Sequence, residues 1–222
     1  MPTSRYERAA RQAGYKVIAG VDEAGRGALF GPVFAAAVVL DPERPVRGLD
    51  DSKQLEPERR ELLAARIQER ALAWAVGAAD AFEIDRVNIL EASRLAMRRA
   101  VERLRIASDY LLIDAIRINV PVPQKPLIHG DSLSFSIAAA SILAKVARDH
   151  ALVEWARVFP HYGLASNKGY GTPDHLSGLA EFGPTALHRF SFAPVRSAAP
   201  VPLWQGYPQA KTAEQVELFS CP

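Results

Sequence analysis

Four acidic residues stand where chemistry is easiest to build. Asp22 and Glu23 follow the apolar run 17–21, Asp114 follows 110–113, and Asp131 follows the short apolar pair 127–128 with a glycine just before it. Strand ends are where α/β sheets usually place ligand chemistry. Carboxylates gathered there repel and raise one another's pKa unless a cation sits among them. Mg²⁺ takes oxygen ligands, a few carboxylates together with substrate phosphate and water. Two such ions about 3.5–4 Å apart can activate a water and stabilise the leaving oxygen in an in-line displacement at phosphorus. The chemistry on offer is phosphodiester hydrolysis. The plain alternative is a set of solvated turn residues. Neighbouring strand residues also point to opposite faces, so Asp22 and Glu23 are expected to share a site only if the strand breaks at Glu23.

The loop 25–31, GRGALFG, comes next. It loosely resembles a dinucleotide fingerprint with its last glycine one place late. The segment after it reads as a strand, so it offers no helix N-terminus to a pyrophosphate. The two carboxylates before it would repel phosphate unless a metal intervened, and no GxxxxGK[ST] run occurs anywhere. Glycine permits close backbone approach and positive φ. Gly25 and Gly27 could present main-chain groups to a sugar hydroxyl while Arg26 meets a phosphate. A tight turn with a solvated arginine remains the alternative.

The elements that must position these residues follow from periodicity. Residues 17–21, 33–40, 72–79 and 110–113 read as strands, with a brief one at 127–128. Pro57 suits a helix start, and Leu62, Leu63, Ile67 and Ala71 follow at helical spacing. Ile89, Ala92, Ala96, Ala100 and Leu104 mark one face of a long helix, residues 134–159 form another, and Pro173 opens a third. Residues 193–209, rich in proline and alanine, read as a linker or wrapping segment. Strands first, then strands alternating with helices, give an α/β layered fold.

Composition bounds the rest. The 222 residues are 49% hydrophobic with a net charge of +2, enough for a sizeable core and too mild a charge to announce a nucleic-acid binder. One cysteine, Cys221, excludes an internal disulfide and a CxxC zinc set. The N-terminus lacks a secretory apolar region, and the longest apolar stretch is broken by Gly31 and Pro32. A soluble, cytoplasmic protein without membrane association is expected. The five histidines form no metal pattern. His129 could approach a leaving group; His161, His175 and His188 could touch phosphate or simply pack.

Seven blocks then occur in order: GVDEAGRGALFGPVFAAAVVL, DDSKQL, EIDRVNILEAS, LLIDA, HGDSLSFSIAAASILAKVARD, YGLASNKGYGTPDHL and HRFSFAPV. Together they resemble the signature blocks of ribonuclease HII, the type 2 ribonuclease H, from about residue 16 to residue 195. The resemblance implies a ribonuclease H-like mixed five-stranded sheet flanked by helices, with a C-terminal helical extension. It implies a catalytic domain over residues 1–195, leaving 196–222 as linker and tail. The implied enzyme cuts the RNA strand of RNA–DNA hybrids and duplex DNA containing ribonucleotides. The cut falls 5′ to the ribonucleotide and leaves a 3′-hydroxyl and a 5′-phosphate. Mg²⁺ or Mn²⁺ is the implied cofactor, at Asp22, Glu23, Asp114 and Asp131.

By the same resemblance, Gly25, Arg26 and Gly27 read the 2′-hydroxyl that distinguishes RNA from DNA, and Tyr170 packs on the neighbouring deoxyribose. Lys53, Lys145, Arg148 and Lys168 are candidate phosphate contacts, for which surface charge or an ion pair is the plain alternative. A monomer is the family expectation. A type 3 ribonuclease H, with its added N-terminal domain, is disfavoured because the first block begins by residue 20. A hybrid-binding protein without catalysis is disfavoured because the carboxylates are complete.

The chain departs from the family pattern at several places. Leu133 stands where lysine is usual and Phe135 where leucine is. Ala28 and Phe30 replace a common proline and alanine, and Ala115 stands where glycine is frequent. At the far end, Gln215, Leu218 and Phe219 lie in QVELF, which resembles the peptide that binds the replication sliding clamp; an amphipathic segment folding back is the alternative.

Overall fold

The computed structural model describes residues 2–199. Gln215, Leu218 and Phe219 lie outside these. The chain divides into two compact units. The first holds residues up to Arg26, Val33–Ala79 and Ser93–Ala151; the second holds Gly27–Pro32, Asp80–Ala92 and the chain from Leu152 onward.

The first unit contains β1 (Ile18–Ala24), β2 (Val33–Val39), β3 (Ala73–Ala79), β4 (Tyr110–Asp114) and β5 (Gln124–Leu127). They form one mixed sheet in the order β3-β2-β1-β4-β5. β1–β2 and β2–β3 are antiparallel, while β1–β4 and β4–β5 are parallel. β5 lies ahead of the expected pair, so Ile128 is 74% exposed rather than a strand residue.

Helices α1 (Arg5–Gln12) and α2 (Pro57–Arg70) belong to the first unit; α4 (Ile89–Glu102) and α5 (Phe135–Val158) supply residues to both units. Two glycines let helices press onto the sheet. A Cβ on Gly20 would lie 2.0 Å from the backbone carbon of Ser136, and one on Gly77 would lie 2.3 Å from the carbonyl oxygen of Ala96. Strand alternation puts these two glycines on opposite faces. One face packs Ala36 and Val38 against Leu63 and Ile67 of α2 and the alanine-rich start of α5. The other receives Ala96 and Ala100 of α4, both fully buried.

α1 was not legible in the polar N-terminus. It is fastened by Glu7, whose Oε1 accepts from Ser134 Oγ at 2.6 Å and from the Ser136 N–H at 2.9 Å. The Ser136 N–H is an orphan backbone donor at the start of α5, where a carboxylate is favoured.

The second unit contains α3 (Ala81–Val87), α6 (Leu164–Asn167), α7 (Pro173–Phe182) and α8 (Ala193–Ala198). α3 is separate from α4. It opens on a capping box, with Asp80 Oδ1 accepting from the Glu83 N–H at 2.8 Å, and ends where Asn88 takes φ 73. Residues 193–198, expected as linker, are helical because Val195 is buried with Leu29, Phe30, Leu152, Tyr162 and Phe190. Asp85 holds the preceding turn by accepting from the N–H groups of Phe190 and Ser191, both at 2.8 Å. No helix among the described residues is long and apolar enough to cross a membrane.

Candidate active site

β1 carries the acidic pair and β4 the third carboxylate. The parallel register matches Val21 with Ile113, so Asp22 and Asp114 are the next neighbours and share a face. β1 does not break at Glu23, which still pairs with Ala35 of β2. The condition set from sequence was wrong, yet the carboxylates meet. One oxygen each from Asp22, Glu23 and Asp114 lie within 4.8 Å of one another. Glu23 stands beyond the last β1–β4 pair, and β4 stops at Asp114.

Asp131 arrives from a short 3₁₀ turn, Gly130–Ser132, that follows His129 in a left-handed conformation at φ 56. The Gly130 N–H donates to Asp114 Oδ1 at 2.7 Å, tying this turn to the end of β4. Asp131 is buried, and its charge acts on Asp22. Its own side chain is not part of the three-residue cluster.

The electrostatics of the cluster favour a cation. Burial, then Glu23 and Asp114 and, more weakly, Asp131, push the Asp22 carboxyl well above its ordinary value, against an N–H bond from Glu23. Burial also raises Glu23, although Arg26, 3.3 Å away, opposes it. Glu23 Oε2 is buried with no hydrogen-bond partner among the described residues. An acceptor-only oxygen left this way costs free energy that a divalent ion would recover. All four groups are hard oxygen donors, so the residues present fit Mg²⁺ or Mn²⁺.

The loop between β2 and α2 faces the same place. Burial lowers the Lys53 ammonium, but Asp51, Asp131, Asp22 and Asp114 together hold it above its ordinary value. Burial raises Asp131, and Asp51 adds to this more than Asp114 does. Asp51 is the acid that sequence reasoning passed over; its place beside Lys53 in DDSKQL was the available signal. Ser52 Oγ lies 2.7 Å from Ser141 Oγ, and Arg60 donates to the carbonyls of Ser52 at 2.9 Å and Leu55 at 2.8 Å.

Lys145 pairs with Asp149 at 2.7 Å, and Arg60 approaches the same carboxylate at 3.6 Å. Burial lowers Lys145 despite that partner. Lys145 thus sits in the ion-pair network that supports the loop. Lys168 takes φ 51 and donates from Nζ to the carbonyl of Ala165 in its own turn.

Of the alternatives left open for Arg148, His175 and His188, a structural role fits better than phosphate contact, since each is fully buried. Gly25 has φ +94, and a Cβ there would fall 2.0 Å from Arg148 Nε. The bare face of Gly25 is therefore filled by a guanidinium. His161 stacks on Phe182 with ring centroids 4.2 Å apart. In the second unit, Gly27 lies beside Tyr170: a Cβ on Gly27 would be 3.9 Å from the tyrosine ring, which is 38% exposed. The Leu29 N–H donates to the Gly169 carbonyl at 2.7 Å, holding the two loops together.

The family model described as Ribonuclease HII matches residues 19–195. A ribonuclease HII of Solibacter usitatus is 60% identical over 197 residues, 89% of this chain and 86% of that one. The ribonuclease H2 of Pyrococcus horikoshii has a similar structure, with TM-score 0.72 and 25% identity over 82% of this chain and 97% of that one. The fold is shared too with a ribonuclease HII of Archaeoglobus fulgidus solved in complex with PCNA, at TM-score 0.69 and 24% identity, covering 89% and 99%.

Proposed function

The chain belongs to the ribonuclease HII family, an endonuclease of RNA–DNA hybrids, and from that premise we propose that it also cuts 5′ to ribonucleotides embedded in duplex DNA, leaving a 3′-hydroxyl and a 5′-phosphate. The observation that carries this is the convergence of one oxygen each from Asp22, Glu23 and Asp114 within 4.8 Å, together with the unpartnered Glu23 Oε2. Asp22, Glu23, Asp114 and Asp131 would hold Mg²⁺ or Mn²⁺, which when bound would supply an activated water and offset charge on the leaving oxygen.

The chain's own groups do the selecting. The loop Gly25, Arg26 and Gly27 meets the ribose through its main chain, with the 2′-hydroxyl as the feature read, while the Arg26 guanidinium meets a phosphate. Tyr170 lays its ring on the next sugar, where a 2′-hydroxyl would crowd it. Lys53 is the lysine best placed to serve the scissile phosphate, because it lies close enough to Asp131, Asp22 and Asp114 to interact with their charges. Lys145 and Lys168 already have intramolecular partners. Residues 1–195 act as the catalytic domain.

Product mapping on a duplex with one ribonucleotide tests this reading. Cleavage 5′ to the ribonucleotide is expected with Mg²⁺ or Mn²⁺ and is lost in Asp22→Asn. An intact duplex across metals and pH would overturn it. The QVELF segment supports a second activity, docking on the sliding clamp through Gln215, Leu218 and Phe219. Clamp retention by the full chain, lost in Leu218→Ala with Phe219→Ala, is the expected pull-down result, and no retention by the unaltered chain ends that idea.

A further inference from the structure

Inside the second unit, a pair of histidines connects the turn bearing Tyr170 to the segment around Thr185. The Nε2 atoms of His175 and His188 lie 3.1 Å apart, and both rings are wholly buried. Their neighbours fix every proton. The Thr185 N–H donates to His188 Nδ1 at 2.9 Å, so that nitrogen carries no proton. The neutral His188 ring then bears its proton on Nε2 and donates to His175 Nε2. His175 in turn keeps its proton on Nδ1, which lies 3.0 Å from the carbonyl oxygen of Tyr170, an acceptor only. The same carbonyl accepts from the Thr172 N–H at 2.8 Å. Both of its lone pairs are therefore used.

The surroundings keep the chain of bonds neutral and rigid. Phe30 meets His188 edge-on at 4.9 Å, and Tyr162 meets His188 at 4.8 Å and His175 at 5.9 Å between ring centroids. The backbone of Tyr170 is held by the Asn167 carbonyl at 3.0 Å on one side and by His175 on the other. A ring that selects between sugars must be held in place before the sugar arrives.

We propose that His175 and His188 are positioning residues that aim Tyr170 through its carbonyl, and so set the preference for a deoxyribose next to the ribonucleotide. This rests on the reading of Tyr170 given above. It assigns two buried histidines to substrate selection without contact to substrate.

Two measurements on the full chain test it. Long-range ¹H–¹⁵N NMR of the imidazoles should show His188 protonated at Nε2 and His175 at Nδ1; the opposite tautomers overturn the proposal. The second is a ratio of cleavage rates, for a duplex with one ribonucleotide against a continuous RNA strand on DNA. His188→Leu should lower that ratio by about tenfold, the effect of about one lost hydrogen bond. His188→Gln, which keeps an acceptor and a donor, should restore it. His175→Phe gives the same reading if His188→Leu does not fold. Tyr170→Ala should lower the ratio as far, with no further loss in the double variant. A Tyr170→Ala ratio equal to the parent removes the sugar-packing reading and the aiming role with it. A loss in Tyr170→Ala that the histidine variants do not share, or an additive double variant, removes only the aiming role.

Discussion

Ala115 directly follows Asp114 and sits at φ 51, a left-handed conformation that side chains disfavour. The glycine common at this place in the family now has a physical reason. Ala115→Gly is expected to raise stability by up to about 1 kcal/mol in thermal unfolding, with cleavage retained. No gain would mean the backbone is unstrained there. Asp22 presents the opposite case. Burial and then its acidic neighbours raise its carboxyl, so its contribution is fully present below the ordinary carboxylate range and is lost as pH rises through the raised value. Metal-free protein at neutral pH bears that penalty. Asp22→Asn should raise the melting temperature of metal-free protein at pH 7–8 while abolishing metal-dependent cleavage. The parent should gain about 2.7 kcal/mol from Mg²⁺ at a hundredfold excess over Kd, and less as pH falls toward 4. A metal-independent melting curve at neutral pH would contradict the site.

At the scale of elements, Gly20 controls how closely α5 meets the sheet. With its Cβ position 2.0 Å from the Ser136 backbone, Gly20→Ala should cost about 3 kcal/mol or more by urea unfolding, although it removes no catalytic group. A cost under about 1 kcal/mol would show that the helix shifts freely. Four strands were legible because each holds an uninterrupted apolar run, β5 was displaced because QKPL carries no such run, and the α4 stripe was legible because alanine recurs every four residues. α3 was not, because a seven-residue helix ended by Asn88 leaves too short a pattern to separate from α4. The carboxylates were legible by type and family block, but the continuation of β1 through Glu23 was not, since pairing with Ala35 is set by β2. Arg148, His175 and His188 belong to residue types usually found exposed or only partly buried. Nothing local announced that Arg148 fills the space beside Gly25 or that the two histidines lie 3.1 Å apart.

For the whole molecule, the buried histidines govern acid stability. Burial, and then His175, lower His188 from 6.5 to about 3, and burial lowers His175 as well. Below 6.5 the unfolded chain takes up protons that the folded chain refuses, so stability falls as pH drops from 6.5 toward 3. His188 alone should remove about 2 kcal/mol by pH 5. Urea unfolding at pH 7 and pH 5 should show that loss in the parent and a smaller one in His188→Gln; equal losses would place the acid sensitivity elsewhere. The clasp between Glu7 and the start of α5 has a consequence for how the chain is made. Its two ends are separated by 127 and 129 positions, so a ribosome adding about 5–20 residues each second leaves the opening segment waiting roughly ten seconds for its partner. During that interval the Glu7 carboxylate lacks its partners, and α1 is fully fastened only after the start of α5 has been made.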